Sequence, residues 1–362
     1  MELNVKIPRD KDNYNVYFEN DLSHFKDLVK EYSASKVMII TDTNVSMHWE
    51  KKVLLNIPES MKTFTFKFEA GEASKNLDTV NAIYESLTEN KFNRTDLIIA
   101  LGGGVVGDTA AYVAHTFKRG LPFIALPTSL LSMVDSSVGG KSGVDYKGIK
   151  NMVGAFSFPE FVYINTDFLS TLPEREFYNG FAEIMKHGLI KDEEFYLWLI
   201  DNMYEIAEKD PETLLKMISH SVEIKKAVVE KDPYERGERA LLNFGHTIGH
   251  AIEAYFNGEY VHGEAVALGS VAAAFISWKR NMLEMEDYYE IRDMFVPFNL
   301  PITIKTDDLN DIIELMKFDK KNTGNEINMV LLNKIGEAVL VKDIDRTEIL
   351  NALEELNFKD EV

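Results

Sequence analysis

Short runs of apolar, β-branched residues recur in the first half of the chain, at 37–41, 63–68, 97–101, 123–126 and 161–164, separated by helix-forming stretches such as 77–89. Strands that alternate with helices run parallel, because each crossover carries the chain back to the same end of the sheet. After about residue 168 the period changes. Apolar residues spaced by three and four run through 177–206, 211–231, 246–255 and 262–281, which marks amphipathic helices. The pattern predicts an α/β domain over 1–167 built on a mostly parallel sheet, then a mainly α-helical domain over 168–362. Near the end, the apolar runs 327–332 and 338–341 flank NKIG at 333–336 and predict a small hairpin. No repeat, low-complexity tract or linker interrupts the chain, so the halves are expected to pack directly, with a ligand in the cleft between them.

Composition removes several classes of function. The 362 residues carry 39 Lys+Arg against 59 Asp+Glu, a formal net charge of −20. Binding to nucleic acid or an anionic membrane through bulk charge is thereby excluded, since such binding needs clustered cations. Cysteine is absent, which rules out disulfides, thiolate metal sites and a cysteine nucleophile and fits a reducing, cytoplasmic setting. Any metal must be held by histidine and carboxylate. The opening MELNVKIPRD has charges and a proline where an export signal needs an apolar core. The uncharged stretch 265–278 falls short of the ~20 residues of a membrane span and predicts a buried core helix.

The run LIIALGGGVVGD at 97–108 is an apolar strand leading into glycines and a helix-compatible segment. Gly102, Gly104 and Gly107 match the dinucleotide spacing. Without Cβ atoms the backbone approaches a pyrophosphate closely, and the helix N-terminus faces the anion. Two departures stand out. The glycines follow what reads as the third strand, and no acidic residue lies about 20 positions further on to hold a ribose. Asp42 and Asn44, just beyond the first recognised strand, and Glu72 and Lys75 are the alternatives for that role.

Three of the eight histidines, His246, His250 and His262, fall within seventeen positions. His246 and His250 are four apart and share a helix face, so spacing alone makes them the metal pair without settling which two of the three bind. Glu183, among apolar neighbours, is the best third ligand. Two histidines and a carboxylate leave Zn²⁺ one open position, the catalytic arrangement. Lys141, Lys147 and Lys150 sit in the glycine-rich segment 136–151 near Asp135 and Asn151, and Lys225 and Arg239 precede the histidines. This company predicts a flexible loop gripping an anionic small molecule, phosphorylated or carboxylated.

With these pieces in order the chain resembles the 3-dehydroquinate synthase family, within the sugar-phosphate cyclases. The matching motifs are GEASK at 71–75, GGGVVGD at 102–108, PTSLLSMVDSSVGGK at 127–141, GFAEIMK at 180–186, RALLNFGHTIGH at 239–250 and HGE at 262–264. The resemblance implies a Rossmann-like NAD-binding domain, a helical metal domain and a homodimer. It implies Glu183, His246 and His262 as ligands of Zn²⁺, or Co²⁺, with His250 catalytic and touching substrate. NAD contacts would come from Asp42, Asn44, Glu72, Lys75, Gly103, Gly104, Asp108, Thr128, Ser129, Lys150 and the segment from Phe168 to Thr171. Substrate contacts would come from Asp135, Lys141, Asn151, Lys186, Lys225, Arg239, Asn243 and Lys320, or its neighbour Lys321, with Arg119 reaching across a dimer interface. Ser129 stands where a second threonine is common, and its hydroxyl keeps the chemistry.

The activity implied is conversion of 3-deoxy-D-arabino-heptulosonate 7-phosphate to 3-dehydroquinate and phosphate, a step of the shikimate pathway. It proceeds by transient oxidation with NAD, phosphate elimination, re-reduction, ring opening and intramolecular aldol closure. Two relatives are alternatives. Cyclitol-forming cyclases tend to vary around Lys225, Asn243 and His250, which here match dehydroquinate synthase. A metal-dependent polyol dehydrogenase would need no anion clamp such as Lys141, Lys225 and Arg239.

Overall fold

The computed structural model describes residues 13–316 and 327–358. It divides into two compact units, 1–171 and 172–362.

The first unit is organised by a six-stranded, all-parallel sheet in the order β1-β8-β5-β4-β2-β3. Its strands are β1 Asn15–Glu19, β2 Lys36–Asp42, β3 Lys62–Phe68, β4 Leu97–Gly102, β5 Phe123–Pro127 and β8 Phe161–Asn165. The inner strands β4, β5 and β8 are buried at every residue, as expected for strands covered on both faces. Edge strand β3 keeps Lys62 and Lys67 exposed, which blunts its open edge. Helices Leu77–Glu89 and Gly104–Thr116 provide crossovers. The first is capped by Asn76, whose side chain accepts from the Thr79 amide at 2.9 Å.

Two expectations change here. The additional strand β1, half-exposed at the sheet edge, makes the glycine-bearing strand the fourth, not the third. The segment 136–151 is no flexible loop. Residues from Lys141 onward form β6 Lys141–Tyr146, which pairs antiparallel with β7 Ile149–Phe156. The turn between them places Lys147 at φ 50°, and Asn151, inside β7, takes φ 52°.

Sheet order also decides where a ligand binds. From β2 the chain steps outward to β3, then crosses back to β4 on the other side of β2. Such a reversal opens a crevice beyond the carboxyl ends of the two strands. Those ends are Asp42 and Gly102.

The second unit is mostly helical. Its helix Glu174–Lys191 is buried continuously from Phe177 to Ile190. The stretch read as one helix over 177–206 is three, Glu174–Lys191, Glu193–Asp201 and Met203–Ala207. Asp192 breaks out of helical geometry at ψ 93° and caps the next helix, accepting from the Phe195 amide at 2.9 Å. Helices Pro211–Lys231, His246–Tyr255 and His262–Lys279 follow. The last is buried from Ala265 to Ser277, a core helix as its composition predicts. β9 Ile327–Lys334 and β10 Glu337–Ile344 form the expected antiparallel hairpin. No helix among the described residues is long and apolar enough to cross a membrane.

Candidate active site

In the first unit, the end of β4 and the first turn of helix Gly104–Thr116 form the floor of a recess lined by Gly103, Gly107, Asp108, Ser132, Ser136 and Lys141. The glycines have different jobs. A Cβ on Gly102 would lie 2.5 Å from Val106 Cβ, so this position is glycine for strand-to-helix packing. A Cβ on Gly107 would meet nothing within 4 Å, so the space beside the helix N-terminus is open to an anionic group, with amides facing it. Thr128 donates its amide to Gly102 O at 3.0 Å, and the Ser129 and Ser132 hydroxyls lie 3.0 Å apart. The donor set and the open cradle fit a dinucleotide pyrophosphate.

Asp42 ends β2, and its Oδ1 accepts from the amides of Asn44 and Val45, both at 2.9 Å. One oxygen therefore orients the turn, and the carboxylate stays at the mouth of the crevice. Because β2 is the spatial neighbour of β4, the acidic residue missing downstream of the glycines has a counterpart far upstream. Lys75 is buried and joins several candidates. Its Nζ lies 2.7 Å from both Asp108 Oδ2 and Asn151 Oδ1, and 4.0 Å from Glu72 Oε1. Burial works against the ammonium charge, but the adjacent Asp108 carboxylate outweighs it and raises the Lys75 pKa. The Asn151 backbone N–H also donates to Asp145 Oδ1 at 2.7 Å, so Lys75 ties the β6–β7 hairpin to the glycine helix.

Phe168 is buried against Trp49, ring centroids 4.8 Å apart. Thr171 Oγ1 accepts from Trp49 Nε1 at 2.7 Å. Both side chains are thus occupied in packing. Asn44, Glu72, Lys141 and Lys150 are exposed, and Asp135 is half-buried on the short helix Ser132–Ser136. Arg119 is exposed in left-handed geometry at φ 69°, next to Lys118 at φ 49°. Lys320 and Lys321 lie outside the described residues.

In the second unit three helices converge on one carboxylate. Glu183 is completely buried, and its Oε1 lies 3.3 Å from His246 Nε2 and 3.2 Å from His262 Nε2. Lys186, one turn along the same helix and 1% exposed, touches Glu183 Oε2. The convergence depends on close backbone approach. A Cβ on Gly263 would lie 2.0 Å from Asn179 O, and one on Gly269 would lie 1.8 Å from Gly245 O. Only glycine lets helices Glu174–Lys191, His246–Tyr255 and His262–Lys279 come this near.

Spacing alone pairs His246 with His250. The side chains instead bring Glu183, His246 and His262 together as one set, while His250, exposed, groups with Glu253 and His262. The three imidazoles still form one cluster, with centroids 5.1, 5.3 and 5.9 Å apart. Burial would raise the Glu183 carboxyl, but Lys186 and His246 hold it well below the usual carboxylate range. Burial lowers the His246 pKa. For His262, hydrogen bonds to Glu183 and Glu253 overcome burial and push the pKa up to about 9. A buried carboxylate facing two imidazole nitrogens suits a divalent cation. The 3.2 and 3.3 Å donor separations also match the edge of a tetrahedron, about 3.3 Å for Zn²⁺ bonds of about 2.0–2.1 Å.

Lys225 and Arg239 are both buried, at 4% and 3% exposed. The loop preceding Arg239 winds around Asp232, whose carboxylate accepts from the amides of Arg236, Gly237 and Arg239 at 2.8, 2.7 and 3.1 Å. Those bonds hold Asp232 below its usual pKa. Asn243 donates from Nδ2 to Glu235 Oε1 at 3.0 Å and to Ala240 O at 3.1 Å, which leaves Oδ1 as an acceptor. Three supporting residues escaped the sequence reading. Asn179 Oδ1 accepts from the Gly263 amide at 2.6 Å. Arg175 clamps Glu264 through Nε and Nη2, each at 2.7 Å, at the start of the His262 helix. Glu253 Oε2 lies 3.7 Å from His262 Nδ1. A signal existed for Asn179 and Glu253, which stand four residues before Glu183 and seven after His246, on the same helix faces.

Comparison with known proteins decides the family. A family model described as 3-dehydroquinate synthase N-terminal matches residues 65–179, and one described as 3-dehydroquinate synthase C-terminal matches 180–322. The 3-dehydroquinate synthase of Acetivibrio thermocellus is 41% identical over 342 residues, 94% of each chain. This chain belongs to the 3-dehydroquinate synthase family. The Streptococcus gordonii member is 42% identical, covering 93% of this chain and 96% of its own. Among solved structures, 2-epi-5-epi-valiolone synthase from Streptomyces hygroscopicus subsp. jinggangensis 5008, with NAD+ and Zn2+ bound, superposes with a TM-score of 0.90 at 25% identity, covering 98% of this chain and 99% of its own. A 2-deoxy-scyllo-inosose synthase complexed with carbaglucose-6-phosphate, NAD+ and Co2+ gives 0.87 at 26%, covering 94% and 96%. The family inferred from the six motifs and the family matched are the same, and the fold is the Rossmann-like domain plus helical domain of these cyclases.

Proposed function

We propose that this chain is a 3-dehydroquinate synthase of the shikimate pathway that eliminates phosphate from 3-deoxy-D-arabino-heptulosonate 7-phosphate and closes the carbocycle. The observation that carries the reading is the buried Glu183 facing His246 and His262, in a chain 41% identical over 94% of its length to a member of that family. Glu183, His246 and His262 would hold the divalent metal, Zn²⁺ or Co²⁺. The glycine loop with Asp42, Asn44, Glu72, Lys75, Asp108, Thr128, Ser129, Lys150 and the segment from Phe168 to Thr171 would hold NAD. When bound, the metal supplies Lewis acidity and NAD a reversible hydride acceptor, which together make an unactivated C–H acidic enough for phosphate to leave.

The remaining chemistry belongs to the chain. Lys186, buried against Glu183, offsets a carboxylate that would otherwise be costly to desolvate. Lys186, Lys225 and Arg239, each at most 4% exposed, supply concentrated positive charge in a chain of net −20. In a dry setting their hydrogen bonds to substrate carboxylate and phosphate are strong. Asn243 offers Oδ1 to a substrate hydroxyl, with its amide fixed by Glu235 and Ala240. His250, exposed beside the two ligand imidazoles, would exchange protons with substrate. Asp135, Lys141 and Asn151 are assigned to substrate contact as well. Homodimer assembly, with Arg119 reaching the partner's site, and a cytoplasmic location complete the reading.

The test is phosphate release from the heptulosonate phosphate, coupled to a zinc assay. One phosphate per turnover without net NADH supports the lyase reading. Cyclitol formation is the second reading, favoured by the 0.90 and 0.87 TM-scores to cyclases named for cyclitol products. No phosphate release from the heptulosonate phosphate with metal and NAD⁺ present, alongside turnover of sedoheptulose 7-phosphate, would establish it instead. Steady accumulation of NADH would identify a polyol dehydrogenase.

A further inference from the structure

The two candidate ligand histidines are oriented by different partners. His246 Nδ1 faces the backbone carbonyl of Phe244 at 3.0 Å. His262 Nδ1 faces a carboxylate, Glu253 Oε2, at 3.7 Å. In both rings the other nitrogen, Nε2, is the one turned to Glu183. Metal-binding imidazoles are commonly held this way, their second nitrogen donating to a carbonyl or carboxylate that fixes the tautomer and raises the basicity of the ligating nitrogen. Glu253 reaches His262 from a different helix, His246–Tyr255, and stands seven residues after His246. One helix thus provides both a ligand and the partner of the other ligand. Glu253 is 17% exposed in its side chain and His262 is 28% exposed, so their interaction is only weakly screened by water.

We propose that Glu253 is a positioning residue for the metal. Its carboxylate, at ion-pair distance from His262 Nδ1, favours the proton on that nitrogen, leaves the Nε2 lone pair for the metal, and strengthens it by placing a negative charge behind the ring. His262 is then the stronger of the two imidazole ligands, since the neutral carbonyl behind His246 supplies no charge. The inference rests on the assignment of His262 as a ligand and adds to it the source of that ligand's strength.

The test measures metal binding directly. Full-length protein is stripped and titrated with Zn²⁺ against a chromophoric chelator, in wild type, Glu253→Gln and Glu253→Ala, and thermal melting of each metal-free variant checks folding. Carboxylate partners of this kind carry about 10–100-fold in affinity. Glu253→Ala is expected to lose that much. Glu253→Gln, which keeps an acceptor oxygen but no charge, is expected to fall between it and wild type. Loading with Co²⁺ adds a spectroscopic reading, and the visible absorption of Glu253→Gln is expected to shift from wild type, because the donor strength of one ligand has changed. Affinities within twofold of wild type in both variants, with unshifted Co²⁺ spectra, would overturn the proposal while leaving the metal site standing. A wild-type chain that binds no Zn²⁺ would overturn both. A loss in Glu253→Ala alone, matched by a lowered melting temperature of its metal-free form while Glu253→Gln binds normally, would mark Glu253 as structural and refute the charge argument.

Discussion

Replacing Gly269 with alanine separates two opposing effects at the point where the ligand-bearing helices cross. Gly269 lies inside helix His262–Lys279, where alanine is favoured over glycine by about 1 kcal/mol. The added Cβ, however, would lie 1.8 Å from Gly245 O, 2.7 Å from Gly249 N and 2.8 Å from Gly245 C. Every one of these is a backbone atom, so no side chain can rotate away. The methyl also enters the 2.9 Å hydrogen bond from Gly249 N to Gly245 O that closes the first turn of the His246 helix. Restoring an ordinary C···O separation of about 3.3 Å means parting the helices by about 1.5 Å. Overpacking of this kind costs about 1–3 kcal/mol, and the rigid surroundings place it near 3. After the propensity gain, Gly269→Ala should be destabilised by about 2 kcal/mol. A displacement of that size also breaks the 3.3 and 3.2 Å approach of His246 and His262 to Glu183, so Zn²⁺ affinity should fall at least about tenfold. Urea unfolding of the metal-free protein gives the first quantity and chelator competition the second. A variant as stable as wild type, with unchanged metal affinity, would refute the claim that close helix contact builds the site.

Gly107→Ala is the counterpart in the first unit: with nothing within 4 Å of the new Cβ, the metal-free chain should unfold no more easily and gain up to about 1 kcal/mol, yet NAD affinity should drop. Normal NAD titration would move the pyrophosphate elsewhere. His262→Ala should lose bound metal and turnover while NAD affinity is kept; stoichiometric zinc by atomic absorption would remove His262 from the ligand set. Lys141→Ala should raise KM for the phosphorylated substrate or lower kcat with zinc content unchanged, and wild-type steady-state kinetics would exclude the anion grip. Glu348 is held below its usual carboxyl range by hydrogen bonds from Arg280, against burial. A depressed carboxyl contributes stability above about pH 4.5 that is lost as pH falls through the folded value. Glu348→Gln should therefore cost about 1–2 kcal/mol at pH 7 and progressively less toward pH 3, and a constant difference in urea midpoints across that range would contradict the linkage.

Much of the site was legible because its chemistry is written locally. The glycines after an apolar strand, the three closely spaced histidines and the run around Glu183 announce a phosphate cradle and a metal centre from spacing and residue type. What spacing misjudged were relationships between segments. His246 and His250 share a helix face, yet Glu183 meets His246 and His262, because the distance between ligand atoms depends on how two helices cross. Lys225 and Arg239 carry no mark of burial in their own neighbourhoods. Strand β1 was unread because it lies half-exposed at the sheet edge, where apolar patterning is weak.

Local periodicity and composition by themselves determined the parallel sheet, the change to helices and the core helix read at 265–278, since a helix or strand needs only its own residues to set its pattern. The tertiary structure alone decided that Asp42 lies beside the glycine loop, through a strand order that places β2 against β4. It alone decided which two imidazoles face Glu183. Both follow from contacts between residues far apart in the chain, and no local preference carries information about a partner that has still to arrive.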